Sequence, residues 1–231
     1  MTPNRSQNKK QAQVSKIALK QSEAGCSPRT PTPETRVLGI IAFLLLLGLA
    51  TATYQRNRIW QNGITLWEDA VNKSPKRAES YAQLAAAHEL AGNTNMAISY
   101  YQASINVNPN MTGVHNNLGI IYRNLGLFDK AIEQHLAALE LDPADAQVHN
   151  NVANDYLGTG QVEQSIEYYR AALNLKPDFV EAHYNLGMAY EAKGATNDAI
   201  ESYRAVLRFS PGNIYAEQKL EAMQHLKIDI K

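Results

Sequence analysis

Five prolines constrain this chain more tightly than any other feature. Pro75, Pro109, Pro143, Pro177 and Pro211 follow one another at intervals of 34 residues. Between successive prolines a glycine recurs at one fixed place, as Gly92, Gly126, Gly160 and Gly194. A fixed period of this size marks a repeat architecture, in which each short unit buries its apolar face only against its neighbours. A glycine midway through each unit supplies a turn that takes positive φ, dividing the unit into two short helices.

The remaining letters fit that division. Small residues stand five positions after the glycine, as Ala97, Ala131, Ser165 and Ala199. They stand again seven before it, as Ala85, Gly119, Ala153 and Gly187, where paired helices approach most closely. Leu84, Leu118, Val152 and Leu186 flank them on the first helix, with His88, Tyr122, Tyr156 and Tyr190 four residues on. Tyr101, His135, Tyr169 and Tyr203 hold the matching place on the second. These spacings put large and small side chains on one stripe of each helix.

The pattern of aromatic, Leu-Gly, Tyr, Ala, aromatic, Ala and Pro over 34 residues resembles the tetratricopeptide repeat. The match covers residues 78–211 as four full units, with departures at Tyr81, His115, His149 and His183 in the first aromatic slot. Ser104 and Val206 replace the small Ala of the second helix. The resemblance implies an all-α fold, a right-handed solenoid of helix-turn-helix repeats. Residues 212–231 read as a capping helix, with Glu221 where inner helices carry Gly or Ala. Residues 55–77 read as a half-repeat, on Trp67, Ala70 and Pro75.

Upstream, residues 1–36 hold seven Lys or Arg against two Glu and few large apolar side chains. Such a segment cannot bury enough surface to offset its ordering entropy, and a disordered tail is expected. The run "VLGIIAFLLLLGLATATY" at 37–54 carries no charge. As a helix it spans roughly 27 Å, close to the ~30 Å hydrocarbon core of a bilayer, so a single transmembrane helix is expected. Cleavage after Ala50-Thr51-Ala52 is the competing reading, against which stands the long leader before the apolar core. Charge close to the run does not orient it: Lys20, Arg29 and Arg36 oppose Arg56, Arg58 and Lys73. The wider basic tail places the N-terminus in the cytoplasm and the repeats outside. The anchor is expected to run into the solenoid without a flexible tether.

With formal charge zero overall and seven basic residues in the tail, everything after residue 36 is net negative by five. That speaks against nucleic acid as a partner of the folded part. The lone Cys26 leaves no disulfide and no paired-cysteine metal site. His88, His115, His135, His149 and His183 all fall in aromatic packing slots of the repeat, so no metal is expected. Phosphate-binding loops, dinucleotide fingerprints and nucleophile elbows do not occur in the sequence. No catalytic residue and no cofactor is expected; the chain reads as a binding protein rather than an enzyme.

The candidate site is the inner surface formed by first helices. Asn117, Asn151 and Asn185 stand at one register position, joined by Asn116, Asn150 and Asn154. An amide offers both donor and acceptor, which suits it to grip a peptide bond. It equally suits it to bond to a neighbouring helix and hold the stack together; both readings stand. Arg123, Gln147, Glu181, Tyr184, Met188 and Glu191 complete the groove, which lacks a basic cluster. Tetratricopeptide domains that clamp a C-terminal carboxylate resemble one another in having Lys and Arg at positions occupied here by Ala82, Gln147 and Asn151. An extended peptide or a protein helix is therefore the expected partner, with the lipid bilayer contacted through 37–54.

The stretch 53–85, carried by Arg56, Asn57, Trp60, Leu66, Trp67, Asp69, Pro75 and Arg77, is similar to the junction after the last membrane helix in O-mannosyltransferase-like glycosyltransferases that end in tetratricopeptide repeats. That resemblance implies repeats on the extracytoplasmic side and a non-catalytic part in a glycosylation or surface-polysaccharide system. The other membrane helices and the acidic motif of those enzymes do not occur in this sequence.

Overall fold

A computed structural model describes residues 33–60 and 63–229, and every regular element among them is an α-helix. The chain divides between residues 58 and 59 into two units. In the first lies most of α1, Pro33–Trp60. This helix begins four residues inside the segment read from sequence as a disordered tail and continues past residue 54. Pro33 opens it where a missing N–H and a fixed φ are tolerated, and Glu34 in the first turn suits the positive end of the helix. Residues 1–32, including Cys26, lie outside the described residues, as does the expected junction at 61 and 62.

The transmembrane helix expected at 37–54 is not shown: among the residues whose side chains are described, no helical stretch is long and apolar enough to cross a membrane. At positions 39 and 52 of the uncharged run, only the backbone is described. The run itself is one uninterrupted helix.

The second unit is the solenoid. It begins with α2 (Gly63–Lys73) packed on α3 (Ala78–Leu90), and α3 pairs with α4 (Thr94–Val107). Three further pairs follow: α5 (Thr112–Asn124) with α6 (Phe128–Leu141), α7 (Ala146–Gly158) with α8 (Val162–Leu175), and α9 (Val180–Lys193) with α10 (Thr196–Phe209). The last helix, α11 (Ile214–Asp229), packs on α10. First helices begin at 78, 112, 146, 180 and 214, and second helices at 94, 128, 162 and 196, so the period of 34 in the letters is a period in the backbone.

The turn glycines explain the regularity. Gly92, Gly126, Gly160 and Gly194 have φ between 73° and 79°. In each repeat the N–H after the glycine donates over 2.9 Å to a carbonyl five residues back: that of His88, Tyr122, Tyr156 and Tyr190. This closure ends the first helix in a left-handed residue and aims the chain into the second.

Packing within a pair rests on the small residues. Ala85, Ala97, Ala131, Ala153, Ser165 and Ala199 are wholly buried, and the five alanines share their core clusters with tyrosine rings and branched side chains. A Cβ on Gly119 would stand 2.6 Å from His135 Nε2, and one on Gly187 would stand 2.6 Å from Tyr203 Cε1. Only hydrogen fits there. Ser104, one of the departures from the repeat pattern, is buried and donates to the Ala78 carbonyl over 2.8 Å, tying α4 to the start of α3.

The histidines sit in aromatic slots, with a polar use added. Rings of His88 and Tyr100, and of His183 and Phe209, stack at 5.3 and 5.6 Å between centroids. In His115, His149 and His183, Nε2 lies 2.9–3.0 Å from the carbonyl of Pro109, Pro143 and Pro177 respectively. Each ring thus fastens its helix to the loop that leads into it. Among the described residues no group of His, Cys, Asp and Glu could hold a metal ion.

At the C-terminal end, Ala216 and Met223 on α11 are buried against the α9–α10 pair, while Glu221 is exposed. One side of α11 covers the core and the other meets water.

The concave groove as candidate functional site

First helices touch one another directly, α5 with α7 and α7 with α9, which lines them up along one face. Most of the predicted amide series is consumed in joining them. Asn151 is buried; its Nδ2 donates to Asn116 Oδ1 over 2.8 Å, and its Oδ1 accepts from Arg123 Nη1 at 3.3 Å. Asn150, also buried, donates to Glu181 Oε1 at 3.1 Å. Asn185 Nδ2 donates to both Asn150 Oδ1 and Asn154 Oδ1, at 3.3 and 3.1 Å. Asn154 further accepts from the Tyr169 hydroxyl at 2.5 Å.

The geometry separates the two uses left open by sequence. Asn150, Asn151, Asn154 and Asn185 are bonded across the helices of neighbouring repeats. Asn117 is exposed and reaches only the Tyr101 hydroxyl, at 3.4 Å. Gln147 is exposed too, and its backbone N–H is capped by Asp145 Oδ1 at 2.8 Å.

Arg123 belongs to the middle of the stack rather than to an open basic site. Its Nη1 lies 3.6 Å from Asp155 Oδ1, and Asp155 Oδ2 lies 2.5 Å from His135 Nδ1. Asp155 and His135 have no exposed surface. Sequence reasoning missed this cluster, although it left a trace: the places equivalent to Asp155 hold Ala87, Ile121 and Ala189.

Tyrosine hydroxyls close the second-helix side. Tyr101 donates to Glu89 Oε2 at 3.0 Å, and Tyr203 donates to Glu191. Burial, and next the neighbouring Glu89 carboxylate, push the Tyr101 phenol up to about 12. Burial raises Tyr169 and Tyr203 as well, the latter reinforced by its bond to Glu191. Lys219 of α11 completes this end with an ion pair to Glu191 at 2.9 Å.

Beyond these bonds an open groove of about 550 Å³ remains at the C-terminal end of the face. Val180, Glu181 and Tyr184 of α9 line one wall, and Asn213 with Tyr215 at the start of α11 lines the other. Glu181 and Tyr184 were expected in the groove; Val180, Asn213 and Tyr215 were not. Tyr215 stands 34 residues after Glu181, so extending the register past Pro211 finds it. Met188 is half-buried, packed against the same core cluster.

Three family models, each described as tetratricopeptide repeat, match residues 78–111, 114–145 and 152–214. No curated protein matches the chain in sequence. Among solved structures, MamA 41-end from Desulfovibrio magneticus RS-1 is 19% identical, with a TM-score of 0.63 over 73% of this chain and 95% of that one. PilF of Pseudomonas aeruginosa is 18% identical at a TM-score of 0.64, over 79% and 82%. YrrB, described as a TPR protein with an unusual peptide-binding site, is 17% identical at 0.61, over 70% and 83%. At these identities the likeness is one of fold. The matched family segments begin at residue 78, and the resemblance of 53–85 to glycosyltransferase junctions is carried by sequence alone.

Proposed function

The chain belongs to the tetratricopeptide repeat family, and from that premise we propose that it is a membrane-anchored scaffold whose concave groove binds a segment of a protein partner. The observation that carries the binding role is the open aromatic-walled groove at Tyr184 and Tyr215, left free where most amides of the face are bonded between repeats. Its volume of about 550 Å³ falls within the ~300–1,000 Å³ of ordinary ligand sites. The role is one of recruitment rather than catalysis. The peptide-binding site in the description of YrrB is consistent with this use of the fold.

Anchoring is supported by α1. Its described large apolar side chains from Val37 to Leu49 lie all around the helix and are 49–65% exposed. A helix apolar on every side is stable in lipid or in a protein interior. Thr51 and Thr53 donate to the Gly48 and Leu49 carbonyls at 2.9 and 2.8 Å, so neither threonine hydroxyl needs water. The repeats face the extracytoplasmic side in this reading. No observation in the described residues favours the glycosylation reading over it.

Two experiments test the proposal. A photoreactive benzoylphenylalanine placed at Tyr184 in the full chain in cells is expected to give a discrete crosslinked partner, and one at Glu201 on α10 none. Equal crosslinking at both, or none at Tyr184, overturns the groove reading. For anchoring, the chain is expected to stay in the pellet after alkaline carbonate washing, with Cys26 reacting with an impermeant maleimide only in permeabilised cells. Release by carbonate, or a mature mass corresponding to cleavage after Ala52, overturns the anchor; labelling of intact cells inverts the orientation.

A further inference from the structure

Charge in the groove is unevenly committed. Arg123, in the middle of the stack, and Lys219, on α11, are held by Asp155 and Glu191. Glu181 differs: among the described residues no cation lies within ion-pair distance of its carboxylate. One of its oxygens accepts from Asn150 Nδ2 at 3.1 Å, which fixes the group in place at the groove wall and leaves the other oxygen without a hydrogen-bond partner among the described residues. Around it stand the ring of Tyr184, the ring of Tyr215, which is 64% exposed, and the side chain of Val180.

The partial positive charge of a helix N-terminus does not offer a rival anion site on the opposite wall. Asn213 Oδ1 already caps the first turn of α11, accepting from the Ala216 N–H at 3.1 Å. Nor does any free Lys or Arg line the groove. What remains is one fixed carboxylate between two aromatic faces.

A basic side chain satisfies every part of this arrangement. Its aliphatic stem covers apolar surface on Val180 and the tyrosine rings, its charged head meets the Glu181 carboxylate, and a ring face attracts it further. We infer that the groove takes a Lys or Arg side chain of an extended partner peptide, with Glu181 as the residue that selects for positive charge. The inference rests on the peptide-binding reading above and deepens it by naming the chemistry of the segment. It is the opposite of recognition of a terminal carboxylate by basic residues.

The test uses the full chain in a non-ionic detergent and three rhodamine-labelled decapeptides, of alternating Ala with Lys, with Glu or with Gln, read by fluorescence anisotropy. The Ala-Lys peptide is expected to bind best. Glu181→Gln should weaken it by roughly ten-fold, the worth of one charge-assisted hydrogen bond, while Asn150 keeps an acceptor and the thermal midpoint stays put. Tyr215→Ala should weaken it as well. Glu201→Gln on α10 removes the same charge elsewhere and is expected to change nothing. Glu181→Lys should move the preference to the Ala-Glu peptide.

Tighter binding of the Ala-Glu peptide by the unaltered chain overturns the inference. So do equal affinities for all three peptides that fall together on Tyr184→Ala, but these leave the groove as a peptide site. If Glu181→Gln and Glu201→Gln weaken the Ala-Lys peptide equally, attraction is diffuse and the inference again fails. No binding of any of the three overturns both the inference and the reading beneath it.

Discussion

His135 Nδ1 lies 2.5 Å from Asp155 Oδ2, with both side chains fully buried and contributed by different repeats. Tyr101, Tyr169 and Tyr203 hold the place of His135 in the other units, and Ala87, Ile121 and Ala189 that of Asp155. The two exceptions are one feature. Asp155 would be costly without a partner, and His135 with Arg123 supplies it.

Breaking this pair from one side should therefore cost far more than replacing both members. His135→Phe is expected to destabilise the solenoid by about 3–5 kcal/mol, because a buried carboxylate loses its closest partner. The double variant H135Y/D155A installs the pair that the next repeat uses, Tyr169 with Ala189, and the new hydroxyl lies on the side of Arg123, as Tyr101 lies on that of Glu89. Urea unfolding followed by circular dichroism should find the double variant closer to the parent than either single one.

Gly119→Ala and Gly126→Ala separate two uses of glycine. The first forces a methyl group against His135 from 2.6 Å, and overpacking of this kind costs about 1–3 kcal/mol. The second meets open space but places alanine at φ 73°, with a penalty of about 1–2 kcal/mol from backbone strain alone. Enlarging the first site further, to Val, should worsen the loss, whereas Asn at 126 should recover part of it, since Asn tolerates positive φ. Thermal melts of the four variants check both statements.

The amides should divide along the same line as their burial. Asn151→Ala removes a donor to Asn116 and an acceptor from Arg123 inside the stack, a loss of about 1–3 kcal/mol. Asn117→Ala, at an exposed site, should stay within ~0.5 kcal/mol. Chemical denaturation of the two variants in parallel decides it; equal losses would mean that the cross-repeat bonds carry no special weight.

Alkaline pH should loosen the solenoid through its buried phenols. In the folded chain Tyr101 titrates near 12 rather than 10.0, so the folded state keeps its proton after the unfolded state has lost it. Stability from this group is complete below pH 10 and falls as pH rises through 12. Tyr169 and Tyr203 shift in the same direction. Melting temperature measured across that window should decline, and less steeply in Tyr101→Phe.

Helix pairing was legible because it depends on letters that recur: the turn glycines, the small residues opposite rings and the spaced prolines all report local geometry. The groove was only half legible. Asparagine at one register position is chemically able to serve a ligand or a neighbour, and the choice depends on whether a second amide lies about 3 Å away, which the period does not reveal. Asn116 meets Asn151 across 35 residues, one more than the repeat, because contact between successive first helices is diagonal. Tyr215 escaped for another reason, since it belongs to α11, whose partner-less helix reads as a cap while one of its residues walls the groove.

The buried pair between His135 and Asp155 also gives the repeats an order. If every unit were alike, removing one would shorten the array and leave the rest indifferent. Excision of residues 146–179 would instead set His135 opposite Ala189, with a dry ring nitrogen facing a methyl group. The second and third units are thus fixed neighbours, and the chain can neither shuffle them nor pair either one with a foreign copy without a mismatch at its centre.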